Sequence, residues 1–229
     1  MSGIAVLDYG MGNVRSVQRA LERVGGRPEV TSDPDAASRA DALLVPGVGA
    51  FGACMRELRA RRLDEVIVRF AREQRPVLGV CLGLQVLFDG GEEDPDPGLA
   101  MLPGTVRRLL GGPGLKVPHM GWNEVHWTAD HPYVRGIPTG TRFYFVHSFA
   151  VAPVASFTVG RTEHGEPFAS VIARGSVFGT QFHPEKSGEP GLALYEAFVR
   201  GVRGGSSPVA ETVPATDSER IPRSGKASS

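Results

Sequence analysis

Three apolar runs, GIAVLD (3–8), ALLVPG (42–47) and PVLGVC (76–81), constrain this chain more than anything else in it. Each is rich enough in aliphatic residues to be buried on both sides. Each gives way to a segment of helical periodicity, the pattern of parallel strands joined by crossover helices. After the first run Val14, Val17, Leu21 and Val24 recur at spacings of three and four, so one helix has an apolar face to lay on a sheet. Residues 53–74 hold one or two more such helices. The expectation is an α/β fold around a central mixed sheet that is largely parallel.

From about residue 89 the character changes. DGGEEDPDPG is a polar loop, and the short segments after it, TVRRLL, GWNEVHW, RFYFVHSF, SFTVGRT, FASVIAR and SVFGTQF, read as strands with antiparallel pairing appended to the parallel part. A last helix carries Leu194, Ala197, Phe198, Gly201 and Val202 on one face. One domain therefore covers 1–203. Residues 204–229 have no aromatic residue and only Val209, Val213 and Ile221 as large aliphatics, so they bury too little to offset their ordering entropy and read as a disordered tail.

Composition excludes several functions. With 25 basic and 25 acidic residues in 229, no overall field draws the chain to nucleic acid or to an anionic membrane. Met1 runs straight into the first strand without a signal-peptide pattern, and no apolar stretch is long enough to span a bilayer, so a soluble cytoplasmic protein is expected. The two cysteines, Cys54 and Cys81, lack the paired spacing of a zinc site. His119, His126 and His131 are irregularly spaced and read as structural; no phosphate loop or dinucleotide fingerprint is present, and neither a metal nor a cofactor is expected.

Chemistry gathers at three places. Gly79-Val80-Cys81-Leu82-Gly83 has the spacing of a nucleophile elbow, where small flanking residues allow a sharp strand-to-helix corner that pushes the sulfur outward. The helix N-terminus there favours a thiolate, and the Leu82 N–H is placed to bind a developing oxyanion. In TQFHPEKSG the proline at 184 biases His183 towards extended backbone, which puts His183 and Glu185 on one side of the chain as a base and its orienting acid. The loop PGVGAFG (46–52) offers backbone N–H groups as a second oxyanion donor. Each motif alone has a plain reading: tight helix packing for the glycines, a solvated glutamate for the tripeptide, an ordinary turn for the loop. Together they point to a cysteine hydrolase.

Elbow, loop and His-Pro-Glu, in that order, resemble the class I (triad) glutamine amidotransferases. PGVGAFG, GVCLGLQVLF, VPHMGWNEV, YFVHSF and GTQFHPEKSG are similar to the glutaminase subunits of imidazole glycerol phosphate synthases, over residues 3 to about 203. The resemblance implies a flavodoxin-like fold, Cys81 as nucleophile, His183 as general base and then acid, and Glu185 as its orienter. It implies oxyanion donors at Leu82 and at Val48, the latter either preformed or only after a peptide flip, and glutamine held by Gly49, Gln85, Ser148 and Phe149. It also implies a (β/α)8 barrel cyclase partner that uses the ammonia, met by Asn13, Trp122, Tyr144 and Lys186, although both aromatics could be core and the lysine a solvated charge. Rival readings are a glutaminase serving another acceptor, a γ-glutamyl peptidase, and a non-catalytic module of the same fold.

Overall fold

In the computed structural model of the chain, residues 3–112 and 114–204 are described, and the three apolar runs lie together in one nine-stranded sheet. The first part of the chain alternates strand and helix: β1 (Ile4–Leu7), α1 (Val14–Arg23), β2 (Pro28–Thr31), α2 (Pro34–Arg39), β3 (Ala42–Gly47), α3 (Phe51–Ala60), α4 (Leu63–Arg72), β4 (Val77–Cys81) and the single turn α5 (Leu82–Gln85). The remainder is strand-rich: β5 (Gly90–Gly91), β6 (Thr105–Arg108), β7 (His119–Trp127), β8 (Thr141–His147), β9 (Phe149–Ala150), β10 (Thr158–His164), β11 (Glu166–Arg174) and β12 (Val177–Thr180). A 3-10 turn over Pro184–Lys186 and the long α6 (Gly188–Arg203) follow.

The sheet order is β2-β1-β3-β4-β12-β11-β10-β7-β8. Pairing is parallel from β2 to β12 and antiparallel from β12 to β8. A smaller, three-stranded sheet has the order β5-β6-β9.

The all-apolar strands are explained by two layers of cover. Ile4 and Val6 of β1 pack with Val17 and Leu21 of α1 and Leu194 and Phe198 of α6, whereas Ala5 and Leu7 face the layer of Met55, Leu58, Ile67 and Phe70 from α3 and α4. Residues 53–74 thus hold most of α3 and all of α4, separated at Arg61 and Arg62, the second of which takes a left-handed backbone. Strand β2 and helix α2 were not expected. Their short PEVT strand begins with proline at the sheet edge and is only half-buried, so it lacks the apolar run that marks its neighbours. The expected disordered tail falls, from residue 205 on, outside the described residues. Among the described residues no helix is long and apolar enough to cross a membrane.

Candidate active site

The carboxyl ends of β3, β4 and β12 meet at one point, because β4 lies between the other two and all three run parallel. Cys81 is the last residue of β4 and holds φ 55° and ψ −109°, a backbone that side-chain-bearing residues rarely adopt. The corner closes only because its flanks are bare. A Cβ on Gly83 would lie 1.8 Å from the Val45 carbonyl oxygen, and one on Gly79 would lie 2.5 Å from the Gly83 carbonyl oxygen. The sulfur stands in the angle so made, before α5.

His183 reaches the same point from β12. The residue before Pro184 is extended, as the proline demands, but the next three residues close into the 3-10 turn. The expected extended His-Pro-Glu is therefore corrected: the turn, not strand alternation, brings His183 Nδ1 to 2.8 Å from Glu185 Oε1. Both side chains are almost wholly buried, at 3% and 1% exposure. Glycine fixes this turn as well, since a Cβ on Gly191 of α6 would sit 1.9 Å from the Pro184 carbonyl oxygen. The Tyr195 hydroxyl donates to the second carboxylate oxygen at 3.4 Å. Burial opposes an imidazolium at His183, but the Cys81 sulfur and the Glu185 carboxylate outweigh it and raise its pKa to about 10. His183 Nε2, the nitrogen not facing Glu185, is buried without a partner of good hydrogen-bond geometry. A base left loose on the nucleophile side commonly tightens when substrate binds.

Cys54 contrasts with this. It is buried on α3, its thiol donates to the Tyr9 hydroxyl at 3.5 Å, and burial pushes its pKa up to about 12. Such a thiol stays protonated and inert.

A pocket of about 390 Å³ opens over Cys81, lined by Val48, Gly49, Leu82, Gln85, Ser148, Phe149 and Lys186 of the expected residues, and also by Glu93, Pro118, Val146 and His147. The structure therefore gathers the expected nucleophile Cys81, both expected oxyanion positions and the four expected glutamine-holding residues around one cavity. His183 and Glu185 are not among the residues that line it. Gln85 is engaged by its neighbours: its Nε2 donates to the Phe149 carbonyl at 2.8 Å and to Gln181 Oε1 at 3.1 Å.

Of the expected interface residues, Trp122 is 48% exposed and meets Tyr144 edge-on, with ring centroids 6.2 Å apart. Lys186 Nζ stands 5.7 Å from the Tyr144 ring centroid, so these three form a row beside the pocket mouth. Asn13 is exposed and has a structural task, capping α1 by accepting from the Ser16 N–H at 3.3 Å.

Two residues that the sequence did not single out belong to the site. The wholly buried Gln181 donates from Nε2 to the Cys81 sulfur at 3.6 Å. It stands two residues before His183, so the same alternation that was applied to Glu185 could have found it on the upstream side. Glu93 projects into the pocket from the acidic loop and accepts from the Phe51 N–H at 2.8 Å, at the start of α3. Nothing local distinguishes it from its neighbours Glu92 and Asp94. Among the described residues no group of three or more His, Cys, Asp or Glu is arranged to hold a metal ion.

A sequence-family model described as Glutamine amidotransferase class-I matches residues 5–201. The chain is 48% identical over 209 residues to imidazole glycerol phosphate synthase subunit HisH of Aromatoleum aromaticum, covering 87% of this chain and 98% of that one. It is 49% identical over 205 residues to the subunit of the same name of Moorella thermoacetica, covering 89% and 97%. PurLQS from Thermotoga maritima shares the fold, with TM-score 0.67 at 19% identity over 87% of this chain and 98% of that one. Relatedness along nearly the whole described chain, converging on an elbow cysteine and a buried His–Glu pair, makes this chain a member of the class I glutamine amidotransferases, in the family of imidazole glycerol phosphate synthase subunit HisH.

Proposed function

We propose that the chain hydrolyses glutamine to glutamate and ammonia with Cys81, His183 and Glu185, and delivers the ammonia to a (β/α)8 barrel cyclase that makes imidazole glycerol phosphate and aminoimidazole carboxamide ribotide in the cytoplasm. The observation that carries this reading is His183, whose Nδ1 is anchored 2.8 Å from a buried carboxylate while its ring adjoins the elbow sulfur. The thiolate attacks the side-chain amide carbon, and the imidazolium gives its proton to the departing nitrogen, leaving a thioester and ammonia. Water then attacks the thioester, His183 takes the water's proton, and glutamate leaves as the thiolate re-forms. Each tetrahedral intermediate carries an oxyanion that the N–H groups of Leu82 and Val48 receive. At the other end of the pocket the Glu93 carboxylate suits the α-ammonium of glutamine, and the backbone at Ser148 and Phe149 suits its carboxylate.

The partner reading is supported by the row of exposed Trp122, half-buried Tyr144 and exposed Lys186 beside the mouth and by the names of the HisH relatives. Lys186 follows Glu185 directly, so a partner acid that grips it sits next to the base. Glutaminase turnover is to be measured for the chain alone, with the barrel, and with the barrel and its nucleotide substrate. Turnover should rise at each step, by about 100-fold or more in all if one oxyanion donor is completed on docking. Cys81→Ala should abolish it in every mixture and Cys54→Ala should leave it near normal. Equal losses from the two substitutions would remove Cys81 from the nucleophile's role, and full turnover by the lone chain would remove the partner's control.

A further inference from the structure

A second polar chain reaches the pocket from the antiparallel side of the sheet. His147, at the end of β8, lines the pocket and places Nδ1 2.9 Å from the Phe149 carbonyl oxygen. Its Nε2 is 3.0 Å from His119 Nδ1, and His119 Nε2 is 3.2 Å from Asn123 Nδ2. His119 and Asn123 share the inward face of β7, two positions apart in that face's alternation. Chemistry leaves one direction for the whole chain. A carbonyl oxygen only accepts, so His147 Nδ1 carries the hydrogen; the neutral ring then accepts at Nε2, His119 donates from Nδ1, and the amide of Asn123 donates to His119 Nε2. The amide is itself oriented, because its Nδ2 also donates to the Glu163 carbonyl at 2.9 Å and its Oδ1 accepts from the Glu124 N–H at 2.8 Å.

We propose that Asn123, His119 and His147 are positioning residues for glutamine: the chain fixes the tautomer of His147, which fixes the Phe149 carbonyl and so the Ser148–Phe149 backbone that receives the substrate's amino-acid end. This rests on the glutaminase reading above. The Phe149 carbonyl accepts from both His147 and Gln85, and the Ser148 carbonyl accepts from the Leu109 N–H at 2.9 Å, so both peptide planes of the segment are held. Without the His119 donor, His147 Nε2 is left buried and unsatisfied. A ring that turns to find that nitrogen a partner withdraws the Nδ1 hydrogen from the Phe149 carbonyl. The surroundings keep both rings neutral, as the chain requires: burial brings His147 down to about 3 and His119 down to about 4. Phe145 and Phe168 pack against both rings, and His164 stacks on His119 at 4.2 Å while its Nε2 meets the Lys116 carbonyl at 2.9 Å.

The test separates holding the amino-acid end from reactivity of the sulfur. Cys81 in the full chain is labelled with iodoacetamide, which has no amino-acid end, and with an amino-acid chloromethyl ketone that carries free α-ammonium and α-carboxylate groups. In His119→Phe the half-saturating concentration of the ketone should rise about tenfold, the cost of about one buried hydrogen bond, with its maximal rate changed less than about twofold and the iodoacetamide rate unchanged. His119→Asn, whose amide nitrogen replaces Nδ1 as donor, should return saturation to within about threefold of the parent chain. Alkylation of buried Cys54 reports loss of the fold in His119→Phe; Asn123→Ala, which removes only the outermost donor, then takes its place with an expected rise of about threefold. Unchanged saturation in the folded variant, or His119→Asn as impaired as His119→Phe, overturns the proposal. If the parent chain itself shows no saturation with the ketone, the glutaminase reading has failed and this inference falls with it.

Discussion

The two parts of the main sheet build the same site by different means. The parallel part, from β2 to β12, acts through its backbone: loops converge at strand ends, glycines let α5 and α6 press against carbonyl groups, and a single thiol stands at the corner. The antiparallel part, from β11 to β8, sends polar side chains through the interior, where His147, His119 and Asn123 are joined in one run of hydrogen bonds. Strand β12 is the seam. It pairs parallel to β4 on one side and antiparallel to β11 on the other, and the segment after it carries both Gln181 and His183. The comparison teaches that close packing places the Cys81 sulfur while hydrogen-bond direction holds the Ser148–Phe149 segment.

The largest effect should come from breaking the seam. His183→Ala should lower glutaminase turnover by about 10⁴-fold or more, and Glu185→Gln by less, roughly 10²- to 10³-fold, because the acid orients and stabilises the imidazolium without itself transferring the proton. Both variants should keep the parent far-UV circular dichroism. A silent Glu185→Gln would mean that the carboxylate does nothing for the base.

Next in size is a comparison of glycines, read by denaturant unfolding. Gly83→Ala forces a methyl against the Val45 carbonyl in the parallel part and should cost about 3 kcal/mol or more, with loss of activity. Gly160→Ala in β10 meets the side chains of Trp127 and Val125 at 2.9 Å, a looser approach and to no carbonyl, and should cost less, about 1–2 kcal/mol. Equal costs would erase the distinction between a backbone-built and a side-chain-built region.

The smallest effect concerns acid stability. His119 and His147 have folded pKa values lowered from 6.5 to about 4 and about 3, so the unfolded chain binds more protons across that range. Their contribution is complete above pH 6.5 and is lost as pH falls through 4 and 3. His119→Asn should therefore flatten the fall in stability between pH 6.5 and 4, by about 1–3 kcal/mol at the acid end. Cys54 works in the opposite window: its thiol, raised from 9.0 to about 12, favours the fold below pH 9 and ceases to do so as pH climbs through 12. An acid limb identical to the parent's in His119→Asn would show that His119 does not titrate on unfolding.

What the sequence made legible follows the same division. The buried strands β1, β3 and β4, the elbow spacing and the His183–Glu185 pairing are local patterns, readable within ten residues. Even there, the turn that joins His183 to Glu185 could not be told from an extended segment, since both bring the two side chains together. The partners of His147 and Gln85 lie 28 and 96 residues away, and only the folded sheet brings them into contact. Glu93 was hidden for another reason: its loop is uniformly acidic, and only the N-terminus of α3 selects one carboxylate from it.

The backbone of Cys81 carries a consequence of its own. A residue with a side chain held at φ 55° and ψ −109° costs the fold on the order of 1–3 kcal/mol, whereas glycine at the same position would be at ease. Stability alone would thus replace the thiol at this corner. A lineage released from the need for that sulfur would drift at position 81 towards glycine and gain a sturdier protein, so the cysteine persists against the preference of its own backbone only while its chemistry is in demand.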